Sequence, residues 1–475
     1  MNKIIPIFIA VLSVSCSNEK PRETILDNIS HVEADIYYSF DSVPRLCDEL
    51  RFEGRYIDVG DCRLYCELRG KGAPMVLING GPGGTHHYFH PWFSKAEKYC
   101  ETVYYDQRGC GLSDFARGDG YTFKQAVTDL DKLRQKSGFD KWIVCGYSYG
   151  GALAQYYCLT YPEHVEGVVL ISAAPVLQDP ILDESREYDY MSEEELDRIS
   201  EIYDLYRKQE IDLKLLLYNK ELNGDWKRQS FYKPDKKKAA QAALYEWVND
   251  KGFNGEVGSD YGRYDFKGAF DGCPVPTLIC EGRWDLTWKA EKADILKNNH
   301  PNAKMIIFEK AGHEIFAEEP ERFFPALEQF VKSLKPVSPD QIAAWKSRVD
   351  EIIGKQEIFF AREDEFVKLI KNEGIDKATI YYEEFKKNNP DEKPFSENVM
   401  NNTGYRFLNN KDFETALKIF ELNIREYPES WNVYDSFAEA YLEKGDKTNA
   451  GKYYEKALSM NPDNQNIKNI LSKLK

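Results

Sequence analysis

Three side chains of this chain could together drive a hydroxyl onto a carbonyl carbon: Ser148, Asp285 and His313. A serine is a weak nucleophile until a base takes its proton, and the base needs an acid to orient it. Ser148 lies in Gly146-Tyr147-Ser148-Tyr149-Gly150, directly after the apolar run Trp142-Ile143-Val144-Cys145 and before a helix expected over residues 152–161. That order of strand, tight turn and helix strains a serine backbone and lifts its Oγ clear of the sheet. Gly146 and Gly150 leave room for two backbones to pass where a Cβ would clash. Asp285 follows the apolar Pro276-Thr277-Leu278-Ile279-Cys280, and His313 follows a second apolar segment, residues 303–309. Each therefore falls on a loop just past a strand, where open parallel sheets place functional groups.

The chain has seven histidines, so the competing bases can be weighed singly. His31 precedes the fold, His164 follows a helix end, His300 stands before its strand, and His86, His87 and His90 share another loop. A tetrahedral intermediate also needs donors for its oxyanion. One is the backbone N–H of Tyr149, after the nucleophile. The other is expected from the glycine run Asn79-Gly80-Gly81-Pro82-Gly83-Gly84, which follows the strand Met75-Val76-Leu77-Ile78, with Gly81 the donor.

The segment Asn79-Gly80-Gly81-Pro82-Gly83-Gly84-Thr85-His86 resembles the His-Gly-Gly-Pro-Gly loop of proline iminopeptidase-like α/β-hydrolases. The longer Asp106-Gln107-Arg108-Gly109-Cys110-Gly111-Leu112-Ser113-Asp114 resembles that family's Asp-Gln-Arg-Gly-x-Gly-x-Ser segment. The resemblance covers roughly residues 50 to 335. It implies a serine peptidase of the α/β-hydrolase fold with Ser148, Asp285 and His313 as triad and Gly81 and Tyr149 as oxyanion donors. Two positions depart from the pattern: Asn79 stands where histidine is usual, and Tyr149 where tryptophan is usual. Both are expected to reshape the pocket for the substrate's first side chain. Family aminopeptidases clamp the free α-amine with glutamates of a cap. The cap is expected here at about residues 175–272, with helical runs at 193–208 and 236–248. Glu246 and Glu281 are the candidate amine-binding carboxylates.

With 63 basic against 79 acidic residues the net charge is -16, which argues against nucleic-acid or anionic-lipid binding through surface charge. A 42% hydrophobic content with 14% aromatics suffices for a packed core. No zinc-like Cys/His spacing or dinucleotide glycine fingerprint appears, so no metal or cofactor is implied. At the N-terminus a short basic start precedes an apolar run, residues 4–14, and then Ser15-Cys16. This resembles a bacterial lipoprotein signal (with Ser13 where leucine is usual). It implies a signal peptide over 1–15, a lipidated Cys16, a tether over 16–50 and a place in the cell envelope. Cys62 and Cys66 share one expected strand and cannot bridge each other; Cys145 and Cys280 lie in apolar strands as small hydrophobes. Few disulfides are expected.

From Ser338 onward helical periodicity replaces the glycine-punctuated strands, after an expected linker over 336–358. Gly404/Ala438, Phe407/Tyr441, Ala416/Ala450, Phe420/Tyr454 and Pro428/Pro462 all stand 34 apart, which resembles tetratricopeptide repeats over 359–475. A weaker copy precedes them, with Ala378, Tyr382 and Pro390 four residues out of phase. Such a stack could bind a protein partner or only pack on the catalytic domain.

Three functions from different classes are open. The first is an aminopeptidase releasing N-terminal residues, proline included, from short peptides. The second is an esterase on the same machinery; Ser148 disfavours chemistry that needs an aspartate nucleophile. The third is a repeat-based binding protein with a vestigial hydrolase.

Overall fold

The computed structural model describes residues 25–30, 54–90, 92–115, 120–178, 191–229, 260–285, 287 and 292–474, with isolated positions 236, 240, 243 and 253. Its centre is one eight-stranded sheet. The strands are β1 (Arg55–Asp58), β2 (Arg63–Gly70), β3 (Ala73–Ile78), β4 (Cys100–Tyr105), β5 (Trp142–Tyr147), β6 (Val165–Ile171), β7 (Thr277–Gly282) and β8 (Lys304–Phe308), in the spatial order β1-β2-β4-β3-β5-β6-β7-β8. Strands β3 to β8 run parallel, and β1 and β2 pair antiparallel at one edge.

The interior strands are apolar without alternation because both faces are covered. Val76, Val144, Val168 and Ile279 point to one face, together with α2 (Tyr149–Thr160) and α1 (Phe123–Lys136). Their neighbours Leu77, Cys145, Val169 and Cys280 point to the other, where α7 (Pro320–Ser333) lays Phe323, Phe324, Leu327 and Phe330. Between β6 and β7 the described residues form helices, among them α3 (Glu193–Arg207) and α4 (Leu213–Lys220). The capping box at Ser192 and Glu195 sets the start of α3. The described part of the cap is thus helical, and the second expected cap helix, 236–248, lies almost wholly outside the described residues. The short α5 (Lys292–Asn299) follows β7, and α6 (Ile315–Glu318) precedes α7.

Two expectations about connecting segments need correction. Residues 25–30, assigned to a tether, pack on the cap: Ile29 is buried with Ile202, Leu205, Ile211 and Leu216, and Asn219 hydrogen-bonds both N–H and C=O of Ser30. Of residues 336–358, assigned to a linker, all from 339 on belong to one 35-residue helix, α8 (Pro339–Glu373). Ile342, Trp345, Val349 and Phe360 form its buried stripe at helical spacing. Trp345 Nε1 donates to Ala269 O at 3.0 Å, and Gln356 Nε2 donates to Asp265 O at 2.6 Å. Arg263 pairs with Glu363 at 2.9 Å beneath the Phe360 ring. The helix is therefore part of the α/β core before it enters the repeats.

The repeats follow as antiparallel helices: α9 (Ile375–Asn388), α10 (Glu397–Asn409), α11 (Phe413–Glu426), α12 (Trp431–Glu443) and α13 (Lys447–Met460), closed by α14 (Gln465–Leu474). The end of α8 pairs with α9 as the weaker copy: Phe366, Ile370, Ala378 and Tyr382 share one core with Ile419 and Leu422. The four-residue phase shift sits in a connection. Eight residues separate α9 from α10, whereas four separate α11 from α12.

Candidate active site

Strand β5 carries Ser148 to the end of the sheet, and α2 begins at the next residue. Ser148 holds φ 54° and ψ -121°, a conformation that L-residues with a Cβ adopt only under strain. Three backbone bonds lock it: Ser148 N donates to Ile171 O, and Ser148 O accepts from Gly151 N and Ala174 N, all at 2.9 Å. Gly150 is required by close approach, since a Cβ there would overlap the Ile78 carbonyl oxygen. Ser148 is half-buried, which leaves its side chain reachable.

The loop after β3 stands against this turn. A Cβ built on Gly80 would lie 3.1 Å from Ser148 Cβ, and Gly84 N donates back to Gly80 O at 3.1 Å. Gly81 takes φ +121°, which glycine alone adopts without strain. Gly80, next to the expected donor Gly81, thus stands against Ser148, and Tyr149 follows Ser148 in the chain.

Asp285 and His313 meet. His313 Nδ1 lies 2.8 Å from Asp285 Oδ2, with both side chains under a tenth exposed. Asp285 Oδ1 accepts Thr287 N at 2.9 Å. Burial opposes ionisation of Asp285, but the facing His313 and Lys292 and the hydrogen bond from His313 hold its carboxyl well below the usual range. Ser172 Oγ donates to His313 O at 2.8 Å, and the Tyr147 ring lies 5.1 Å from the imidazole.

A family model described as the alpha/beta hydrolase fold matches residues 73–320, more than half the chain. The chain belongs to that family. Residues 432–464 match the tetratricopeptide repeat, so the hydrolase carries these repeats at its C-terminal side. Proline iminopeptidase of Saccharolobus solfataricus is 27% identical over 289 residues, covering 57% of this chain and 87% of that protein. Proline iminopeptidase of Clostridium botulinum is 29% identical over 278 residues, covering 57% and 93%. Among solved structures, a carboxylesterase of Bacillus subtilis superposes with TM-score 0.45 at 16% identity, covering 60% of this chain and 92% of that one.

The remaining expected residues of this hydrolase fare differently. Glu246 and Cys16 lie outside the described residues. Glu281 is only 2% exposed, and its Oε2 lies 2.9 Å from Lys292 Nζ. Asn79 is fully buried, with Nδ2 donating to Tyr105 O at 2.8 Å across the ends of β3 and β4. Tyr149 turns its ring into the core beside Phe123 and Tyr261. The eight described cysteines are buried and free.

The Asp106-to-Ser113 segment, read above only for its resemblance, has a structural task here. Asp106 accepts His86 N at 2.8 Å, Leu112 N at 2.8 Å and pairs with His86 Nδ1 at 2.9 Å. Gln107 Nε2 donates to Asn79 O, and Arg108 is clamped between Asp129 and Asp61. The segment therefore braces both ends of the glycine loop. On the far side of His86 lies Glu67 at 3.4 Å, which also takes His90 Nε2 at 2.9 Å. Burial lowers the affinity of His86 for its proton, but Asp106 and Glu67 outweigh it and raise the imidazole to about 9. Glu67, His86 and His90 bring ligand atoms within 4.8 Å of one another, but these atoms are engaged in this ion network. Composition gave no hint of the network, because its members come from β2, the loop after β3 and the end of β4.

Proposed function

We propose that the hydrolase is a serine aminopeptidase that releases N-terminal residues, proline included, from short peptides. The observation that carries the serine chemistry is the His313–Asp285 pair at the end of the sheet that also presents the strained Ser148. In this reading Ser148 Oγ attacks the scissile carbonyl while His313 Nε2 takes its proton. Asp285 holds the tautomer and stabilises the imidazolium. The N–H groups of Gly81 and Tyr149 receive the oxyanion, each worth about 100- to 1000-fold in rate. His313 then protonates the leaving amine, and water releases the acyl group by the same steps.

The step from hydrolase to aminopeptidase rests on the relatives named proline iminopeptidase and on the Gly-Gly-Pro-Gly and Asp-Gln-Arg-Gly segments. Glu246 is assigned the substrate's α-amine through a charge-assisted hydrogen bond. No metal or cofactor enters this chemistry. The repeats are assigned a peptide-like segment of a protein partner, and Cys16 a lipid anchor in a bacterial cell envelope. Among the described residues no helix is long and apolar enough to cross a membrane.

Paired substrates test the reading: free and N-blocked prolyl and alanyl amides beside a short-chain ester. Cleavage of the free amides alone is the expected result. Cleavage of the ester alone would make the protein an esterase, and labelling of Cys16 with palmitate, lost in Cys16→Ser, tests the anchor.

A further inference from the structure

The acid that holds His313 has a second nitrogen on the same oxygen. Lys292, at the first turn of α5, keeps only 3% of its side chain exposed. Its Nζ lies 2.9 Å from Glu281 Oε2 and 3.6 Å from Asp285 Oδ2. Asp285 Oδ2 is also the atom that faces His313 Nδ1 at 2.8 Å. A lysine this deeply buried is held there by a paired charge. Here the pair is Glu281, at the end of β7. Burial pushes the Glu281 carboxyl up, and Lys292 works against that rise.

We infer that Lys292 and Glu281 are a positioning pair that tunes how strongly Asp285 holds the protonated His313. This rests on the reading of Ser148, Asp285 and His313 as the catalytic triad. Asp285 and Glu281 each carry one negative charge and Lys292 one positive, so among the described residues these three groups carry one negative charge more than positive. When His313 takes the proton of Ser148, that charge is matched and the buried cluster becomes neutral. Taking away the Lys292 ammonium would leave two unmatched carboxylates and favour the imidazolium. Taking away the Glu281 charge would leave a neutral Asp285–Lys292 pair and make the imidazolium an uncompensated buried cation. The two changes therefore act in opposite directions, which a purely structural role would not produce.

Other groups face the same place. Thr287 N from the turn bonds Asp285, the Tyr147 ring of β5 lies beside His313, and Glu314 follows His313 in the chain. Burial, with the charge of Glu318 adding to it, pushes the Glu314 carboxyl up to about 8.

The test uses the full chain and the rate at which a fluorophosphonate probe labels Ser148 from pH 4 to 9, which needs no knowledge of the natural substrate. Lys292→Met is expected to move the acid limb of that profile up by about one pH unit, and Glu281→Gln to move it down by a similar amount. The double variant restores one unmatched negative charge and is expected near the wild-type limb, as is Lys292→Arg. If Lys292→Met does not fold, Glu281→Gln and the double variant still decide the matter. Limbs that stay in place, or that move in the same direction, would overturn the pair. If instead the wild-type protein is not labelled, or Ser148→Ala labels equally well, the triad reading itself falls.

Discussion

The sheet domain and the repeats are built from opposite kinds of contact. In the repeats each helix meets mainly its neighbours in sequence, as α12 and α13 do around Ala438, Ala450 and Tyr454. In the sheet domain the atoms that matter come from far apart: His313 reaches Asp285 across 28 residues, and Lys346 of α8 reaches Thr160 O across 186. A stack of local units can lose an end unit and remain folded. A site held by long-range contacts has no such independence. The lesson is that backbone strain, as at Ser148, is held where the surroundings over-determine it. The repeats are connected by short turns, one of which also holds a non-glycine residue, Lys411, at positive φ (62°).

The contrast can be broken most sharply at the nucleophile. Ser148→Ala is expected to lower turnover by about 10,000-fold or more with an unchanged melting temperature, measured by steady-state hydrolysis and calorimetry. Unchanged turnover would remove Ser148 from the mechanism.

Truncation gives the next largest effect. Ending the chain at residue 338 removes Trp345, Val349 and Phe360 from the α/β core and is expected to abolish soluble, active protein. Ending it at residue 427 removes only the last helices and should leave hydrolysis within about twofold of the full chain, because local units fold largely by nearest-neighbour contacts. Equal behaviour of the two truncations would erase the distinction.

Single glycines repeat the comparison at smaller scale. Gly150→Ala forces a Cβ into the Ile78 carbonyl and should cost more than about 3 kcal/mol in denaturant unfolding. Gly451→Ala lies inside α13 with nothing within 4 Å of the new Cβ, and should stabilise by about 0.5–1 kcal/mol.

The buried His86 network predicts a pH effect. Its folded-state affinity for a proton is raised to about 9, so its contribution is fully present below about pH 6.5 and is lost as the pH rises through 9. Unfolding free energy should fall by at most about 3 kcal/mol between pH 6.5 and 9.5, with a flatter slope in His86→Gln. An equal slope in the variant would mean that His86 is neutral in the folded protein.

Much of this was legible in the chain. The strand–Gly-x-Ser-x-Gly–helix segment, the order of Ser148, Asp285 and His313, and the 34-residue spacing all express local rules, so the residues themselves carry the signal. The docking of α8 was legible too, had the spacing of Ile342, Trp345, Val349 and Phe360 been read as one stripe. Pro339 occupies the first turn of α8, where its missing N–H costs nothing.

By itself, then, the sequence determined which elements form and which residues stand at their ends, because propensity, periodicity and glycine sterics act over a few residues. Only the tertiary structure decided that Glu281 pairs with Lys292, that Asn79 is buried just past β3, and that His86 lies between two carboxylates. Those outcomes depend on which charges and carbonyls distant elements bring within 3 or 4 Å, and no spacing along the chain encodes that distance.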